Sequence, residues 1–167
     1  MSATPEQILL KHWKYNHFRP GQIEIIQSIL NQQDVLALLP TGGGKSICFQ
    51  VPALILGGLT LVVSPLIALM KDQVDGLKDK GISAVYIHSG QTWSEIKLIM
   101  ENALKGHYQL FYVSPERLTF KNFEGYLINL NKSACPVLPD ITCLYVGLVV
   151  FPPEYPELTS LTPFKFS

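Results

Sequence analysis

The feature that most constrains the fold of this chain is a short apolar run that leads directly into a glycine-rich loop. Residues 35–39 are apolar, and residues 40–46 read Pro-Thr-Gly-Gly-Gly-Lys-Ser. Five apolar residues followed by a loop and a helical segment are typical of a buried strand. The three glycines permit positive φ angles and turn several backbone N–H groups toward one point, where a helix N-terminus adds its positive dipole. We therefore predict a strand, a phosphate-binding loop and a helix.

The residue types in this loop suit a nucleoside triphosphate and its metal ion. Lys45 can reach the β- and γ-phosphates, and the Ser46 hydroxyl can take one position on Mg²⁺. Leu39 stands where the strict Gly-x4-Gly-Lys-Ser/Thr pattern has its first glycine, so a glycine-rich turn without a ligand is the alternative. The predicted phosphate-binding residues are Thr41, Gly42, Gly43, Gly44, Lys45 and Ser46, with Ser46 as the metal ligand.

Composition limits the class of protein. A chain of 167 residues with 47% hydrophobic content can bury the core of one domain. Its 13 basic and 13 acidic residues balance, so charge neither supports nor excludes nucleic-acid binding. No apolar stretch approaches the ~20 residues of a membrane helix, and no leading apolar signal segment is present. We therefore expect no membrane association and a cytoplasmic, nuclear or nucleoid location, not secretion.

The three cysteines are typical of a reducing compartment. Cys48, Cys135 and Cys143 contain no C-x-x-C pair. A zinc site built from Cys135, Cys143 and a histidine is an alternative, but the spacing matches no zinc-ligand pattern.

Strand-like and helix-like segments alternate along the chain. The periodicity predicts helices over 20–32, 46–56, 66–80 and 93–105, and strands over 59–63, 84–87 and 109–113. Gly81 is typical of a helix C-cap, and Thr92 with Glu95 of a capping box. Strands that are apolar on both faces and separated by helices indicate a parallel sheet covered on both sides. We therefore predict a three-layer α/β fold with ligands beyond the carboxyl ends of the strands.

The last third of the chain is different. Six of the twelve prolines fall within residues 132–167, and proline disfavours central strands and helices. Residues 119–131 are compatible with a helix, and residues 144–151 with a strand. We therefore predict an ordered domain over 1–131 and a degenerate, proline-rich continuation of the same domain over 132–167.

Four segments, in order, resemble the RecQ family of ATP-dependent DNA helicases, in the first of their two RecA-like domains. They are Tyr15 with residues 18–22 (Phe-Arg-Pro-Gly-Gln), residues 39–46 (Leu-Pro-Thr-Gly-Gly-Gly-Lys-Ser), residues 63–74 (Val-Ser-Pro-Leu-Ile-Ala-Leu-Met-Lys-Asp-Gln-Val) and residues 112–118 (Tyr-Val-Ser-Pro-Glu-Arg-Leu). The family's loop also lacks the leading glycine. The resemblance implies a P-loop, RecA-like ATP-binding helicase domain over 1–131 that is incomplete or irregular after about residue 131.

The resemblance assigns the segment before the loop to adenine. It implies that Gln22 pairs with the purine edge through its amide, and that Tyr15 and Arg19 stack on the ring. The alternatives are that Gln22 caps or solvates its helix and that Tyr15 packs in the core. ATP and Mg²⁺ are the implied cofactors.

The resemblance also assigns two loops to single-stranded or partly duplex DNA. Residues 64–66 and 114–117 would hold phosphates through hydroxyls, backbone N–H groups and Arg117, without reading sequence. An ion pair between Arg117 and Glu116, and a solvated helix position for Lys71, are the alternatives. The implied DNA-binding residues are Ser64, Pro65, Leu66, Lys71, Ser114, Glu116 and Arg117.

The chain departs from the family at its Asp-Glu-Ala-His box, whose acids hold Mg²⁺ and activate water. Residues 151–155 (Phe-Pro-Pro-Glu-Tyr) resemble the segment after the box, and counting back places residues 139–142 (Pro-Asp-Ile-Thr) in its position, before Cys143. Asp140 is the only acid at these four positions and a weak candidate for the catalytic acid, beside Lys45. Residues 144–150 replace the loop that couples DNA binding to hydrolysis in the family.

A second RecA-like domain with an arginine finger closes the nucleotide site in this family, and 167 residues cannot contain both domains. We therefore expect the first motor domain of a 3′–5′ DNA helicase, either as a fragment or as the product of a shortened or disrupted reading frame, that binds nucleotide without efficient turnover. The alternative is a non-catalytic nucleotide- or DNA-binding module derived from a helicase. A small-molecule kinase or another P-loop enzyme would explain the loop but not residues 63–74 and 112–118.

Overall fold

The computed structural model describes residues 3–37, 39, 42–118 and 141–144. The helices in these ranges are α1 (Pro5–Trp13), α2 (Gln22–Leu30), α3 (Lys45–Leu56), α4 (Ile67–Lys78), α5 (Trp93–Leu104) and α6 (Pro115–Leu118). The strands are β1 (Leu59–Val63), β2 (Ala84–Ile87), β3 (Leu110–Val113) and β4 (Ile141–Leu144). None of these helices has the length and apolar character needed to span a membrane.

The four strands form one parallel sheet in the order β2-β3-β1-β4. Val63 of β1 is level with Val113 of β3, and Leu59 of β1 is level with Ile141 of β4. β1 and β3 are buried along their full length, as expected of parallel strands covered on both faces. Of the four strands predicted before residue 114, those over 59–63, 84–87 and 109–113 are confirmed to within one residue.

Helices cover both faces of the sheet. One face buries side chains of β1, β3 and α5, among them Leu61, Phe111, Ile96 and Met100. The opposite face buries side chains of α3, α4, β1 and β3, among them Phe49, Val74, Val62 and Tyr112. The helices α1 and α2 pack on α3 through Ile8, Ile26 and Val51. This is the predicted three-layer α/β fold.

The helix ends follow from local sequence. The backbone N–H of Thr92 donates to Glu95 Oε2 (2.8 Å) and that of Glu95 to Thr92 Oγ1 (3.4 Å), which is the predicted capping box of α5. The C-cap of α4 is Asp79, not the predicted Gly81, which lies two residues later at φ +71°, where the Ile82 N–H donates to Leu77 O (3.0 Å) and closes the turn after the helix. The capping box of α1, Thr4 with Gln7, is the signal that would have predicted that helix.

The strand predicted over residues 35–39 differs from the structure, since its described residues 35–37 and 39 form no strand and Leu36 is 87% exposed. A strand needs a paired neighbour for its backbone N–H and C=O groups. Within the described ranges, no strand pairs with this segment. An apolar run alone therefore did not establish a buried strand here.

Two further differences concern residues after β3. Residues 115–118 form the short helix α6, where a loop was expected. The last described strand is Ile141–Leu144, which overlaps the expected 144–151 at one residue. Residues 119–140 and 145–167 lie outside the described residues, so the helix over 119–131 and the domain boundary at 131 stay predictions.

Candidate functional site

The glycine-rich loop leads into the N-terminus of α3. Gly42 and Gly44 have φ angles of +76° and +74°, Gly44 is the N-cap, and Lys45 is the first residue of the helix. In the described part of the chain no side chain caps this N-terminus. The N–H groups of the first turn can therefore bind an anion, and Lys45 and Ser46 stand beside them. Thr41 lies outside the described residues.

The loop is bonded to the start of α2 through Gln22. The Gln22 Nε2 donates to Gly43 O (3.1 Å) and Gly44 O (3.0 Å), and its Oε1 accepts from the Arg19 N–H (2.9 Å). The Arg19 guanidinium donates to Gly42 O. The structure thus brings two residues predicted to bind adenine onto the carbonyls of the glycine-rich loop.

The alternatives for these residues are decided by burial. Gln22 is only 2% exposed, so it does not solvate its helix, and Gly21, not Gln22, is the N-cap of α2. Tyr15 is 54% exposed, so it does not pack in the core. The contacts of Tyr15, Arg19 and Gln22 with adenine stay predictions.

A cavity of about 40 Å³ lies between α3, α4 and the sheet. Lys45 and Ser46 border it on the α3 side, and Ser64, which follows β1, borders it at the end of the sheet. The other lining residues are Phe49, Val62, Leu69, Met70, Gln73 and Tyr112. Two of the predicted phosphate-binding residues, Lys45 and Ser46, and one predicted DNA-binding residue, Ser64, therefore border the same space.

The residues predicted to bind DNA divide into buried and exposed groups. Ser64 and Ser114 are 5% and 1% exposed, and within the described ranges the Ser114 Oγ lacks a hydrogen-bond partner. In this arrangement both side chains are covered by protein, so their hydroxyls do not contact a DNA strand at the surface. The exposed group, at the carboxyl ends of β1 and β3 or on the helices that follow, consists of Pro65, Leu66, Lys71 and Glu116.

Arg117 holds the loop that follows β2. Its Nε donates to His88 O (3.1 Å), and its Nη2 donates to Ser89 O (3.0 Å) and Gln91 O (3.2 Å). These bonds join residues 88–91 to the segment after β3. The sequence did not predict this positioning role, because the partners are backbone carbonyls and leave no mark in the residue types.

A buried polar group was also missed. The Gln50 Nε2 donates to Gln73 Oε1 (2.8 Å) and to the Tyr112 hydroxyl (3.2 Å). Gln50 and Tyr112 are 4% and 2% exposed, and burial raises the pKa of Tyr112 more than the Gln50 hydrogen bond lowers it. The phenol therefore stays neutral. A glutamine between Phe49 and Val51 was the available signal.

Asp140 lies outside the described residues, and so do residues 151–155. The next residue, Ile141, begins β4 level with Leu59 at the amino ends of the strands, whereas Ser64 follows the carboxyl end of β1. The count from residue 151 placed Ile141 and Thr142 in a box that follows a strand, whereas the structure places both inside β4. Among the described residues, no cluster of three His, Cys, Asp or Glu side chains could bind a metal ion.

Comparisons with known proteins agree with this architecture. A family model described as DEAD/DEAH box helicase matches residues 19–144. The ATP-dependent DNA helicase RecQ of Haemophilus influenzae is 41% identical over 158 residues, covering 95% of this chain and 25% of that protein. RecQ of Bacillus subtilis is 48% identical over 124 residues, covering 74% of this chain and 21% of that protein. The chain thus spans about a quarter of the length of these relatives.

A solved structure supports the fold. The crystal structure of a hypothetical ATP-dependent RNA helicase from Sulfolobus tokodaii matches with a TM-score of 0.54. The match covers 73% of this chain and 36% of that chain, at 20% identity. At this identity the likeness concerns the α/β fold alone.

Proposed function

The chain belongs to the DEAD/DEAH box helicase family and, by its similarity to RecQ proteins, to the RecQ helicases, and from that premise we propose that it is an ATP-binding motor domain of a 3′–5′ DNA helicase. The observation that carries the proposal is the joining of the glycine-rich loop to the start of α2. Gln22 and Arg19 bond to the carbonyls of residues 42–44, and Lys45 and Ser46 follow directly.

The ligand in this proposal is ATP with Mg²⁺. The uncapped N-terminus of α3 fits phosphate, with Thr41 and the glycines providing backbone N–H groups, Lys45 a positive charge and Ser46 a hydroxyl for the metal ion. Tyr15 is exposed and can stack on adenine. Gln22 and Arg19 already hold loop carbonyls, so a contact with adenine requires these two side chains to exchange partners.

The macromolecular partner in this proposal is single-stranded or partly duplex DNA, bound without reading sequence. The exposed residues Pro65, Leu66 and Lys71 and the backbone around Glu116 would contact the strand. The buried Ser64 and Ser114 would position these segments, and Arg117 would hold the neighbouring loop. Because the chain has balanced charge, we expect weak binding.

We propose that this chain binds nucleotide without efficient turnover. Its sequence contains no Asp-Glu-Ala-His box. The strand that follows Asp140 in the sequence starts at the amino end of the sheet, and Ser64 lies at the carboxyl end. The missing box also supports the second candidate, a non-catalytic nucleotide- or DNA-binding module derived from a helicase.

Nucleotide binding tests the proposal by calorimetry with Mg-ADP and Mg-ATP. We expect Lys45→Ala to abolish the binding heat, because the phosphates lose their only side-chain cation in the predicted loop. Lys78→Ala, at an exposed position in the last turn of α4, is the matched control and should bind like the wild type. A wild-type chain that is folded by circular dichroism yet binds neither nucleotide would refute the site assignment.

A further inference from the structure

We propose that Gln50 is a positioning residue that couples nucleotide binding at the start of α3 to DNA binding at the segments after β1 and β3. The inference rests on the proposed function and extends it to the route between the two sites. Gln50 lies five residues after Lys45 on the same helix, about 1.4 turns away. A displacement of the start of α3 by bound phosphates is therefore carried to Gln50.

Gln50 joins three elements. Its Nε2 donates to Gln73 Oε1 on α4 (2.8 Å) and to the Tyr112 hydroxyl on β3 (3.2 Å). α4 begins directly after residues 64–66, and β3 leads directly into residues 114–117. One amide group of the nucleotide-binding helix is thus bonded to both elements that carry the proposed DNA-binding segments.

Two of the three side chains in the bridge are buried. Gln50 is 4% and Tyr112 2% exposed, and a buried donor that loses its partner is unfavourable. The Phe49 and Tyr112 rings add an edge-to-face contact with centroids 6.5 Å apart. A shift of α3 is therefore more favourable when α4 and β3 move with it.

The cavity beside the bridge provides room for such a shift. It extends from Lys45 and Ser46 to Ser64, Gln73 and Tyr112, with a volume of about 40 Å³. A bound nucleotide that fixes Lys45 and Ser46 would fix the bridge, and through it the segments that meet DNA. Because coupling between two binding sites is reciprocal, bound DNA should in turn tighten nucleotide binding.

The experiment measures the Kd of Mg-ADP with and without a saturating oligothymidine strand. For the wild type we expect DNA to lower the Kd by at least about fivefold. We call the Kd without DNA divided by the Kd with DNA the coupling ratio. Gln73→Leu removes one acceptor of Gln50 and should reduce the coupling ratio to within about twofold of one. Gln73→Glu keeps an accepting oxygen and should retain the ratio. Gln27→Leu, the same substitution at an exposed glutamine of α2, is the matched control.

The Kd measured without DNA should stay close to the wild-type value in all variants, which separates lost coupling from lost folding. Tyr112→Phe removes the other acceptor and should also lower the ratio. Three outcomes would overturn the role proposed for Gln50 and leave the proposed function standing. They are a wild-type ratio in Gln73→Leu, an equal loss in both Gln73 variants, and a ratio of one in the wild type although both ligands bind. A wild type that binds neither ligand would overturn the proposed function and the bridge together.

Discussion

Gly44 shows, at the scale of one residue, how the glycine-rich loop and α2 fit together. Gly42 and Gly44 both have positive φ angles, and this backbone conformation is strained for residues that carry a Cβ atom. A Cβ on Gly44 would lie 2.5 Å from Gln22 Nε2, whereas a Cβ on Gly42 would meet nothing within 4 Å in the described ranges. Gly44 therefore serves both the backbone conformation and the Gln22 amide.

We expect Gly44→Ala to lower the free energy of unfolding more than Gly42→Ala. Both substitutions should cost about 1–2 kcal/mol for a left-handed backbone. Gly44→Ala should cost roughly 1–3 kcal/mol more, because it displaces a buried amide from its two loop carbonyls. Urea denaturation measures both. In a Gln22→Ala background the two costs should become equal, and an excess that persisted there would contradict this role of Gln22.

At the scale of the element, the N-terminus of α5 depends on its capping box. The hydrogen bonds from Thr92 hold the pKa of the Glu95 carboxyl below its ordinary value. A lowered pKa in the folded state means that the ionised carboxylate stabilises the fold above the ordinary pKa. This contribution is lost as pH falls through the lowered pKa.

We expect Thr92→Ala to destabilise the chain by about 0.5–2 kcal/mol at neutral pH, as the loss of an N-cap does. It should also return the pKa of Glu95 toward its ordinary value, which an NMR titration of the Glu95 carboxyl measures. Glu95→Gln is the matched control, because glutamine keeps the acceptor at this position but does not titrate. An unchanged Glu95 pKa in Thr92→Ala would refute the assigned cause.

At the scale of the whole molecule, we expect nucleotide binding to be separate from turnover. Phosphate release from ATP should stay near background and remain flat when single-stranded DNA is added, because the sequence has no acidic box to hold Mg²⁺ and activate water. A DNA-stimulated rate that Asp140→Asn removed would contradict this expectation.

Titrations of labelled DNA strands of different sequence at two salt concentrations should show weak, sequence-independent binding.

The sequence by itself determined the fold class and the glycine-rich loop that opens α3. These rest on local patterns: three glycines before Lys45 and Ser46, apolar strands between amphipathic helices, and the capping residue Thr92. Local patterns act through backbone conformation and side-chain period, so they do not depend on what lies across the sheet. The sequence-level assignments of adenine and DNA residues came instead from the resemblance, and they stay proposals.

Only the tertiary structure decided which side chains meet. Gln50 is 23 residues from Gln73 and 62 from Tyr112, and Arg117 is 29 residues from His88. Such contacts arise when helices and strands pack, and no local period encodes them. The same holds for the exposure of residues 33–37 and the burial of Ser64. Whether an apolar or polar residue is buried depends on what packs against it, which only the assembled fold contains.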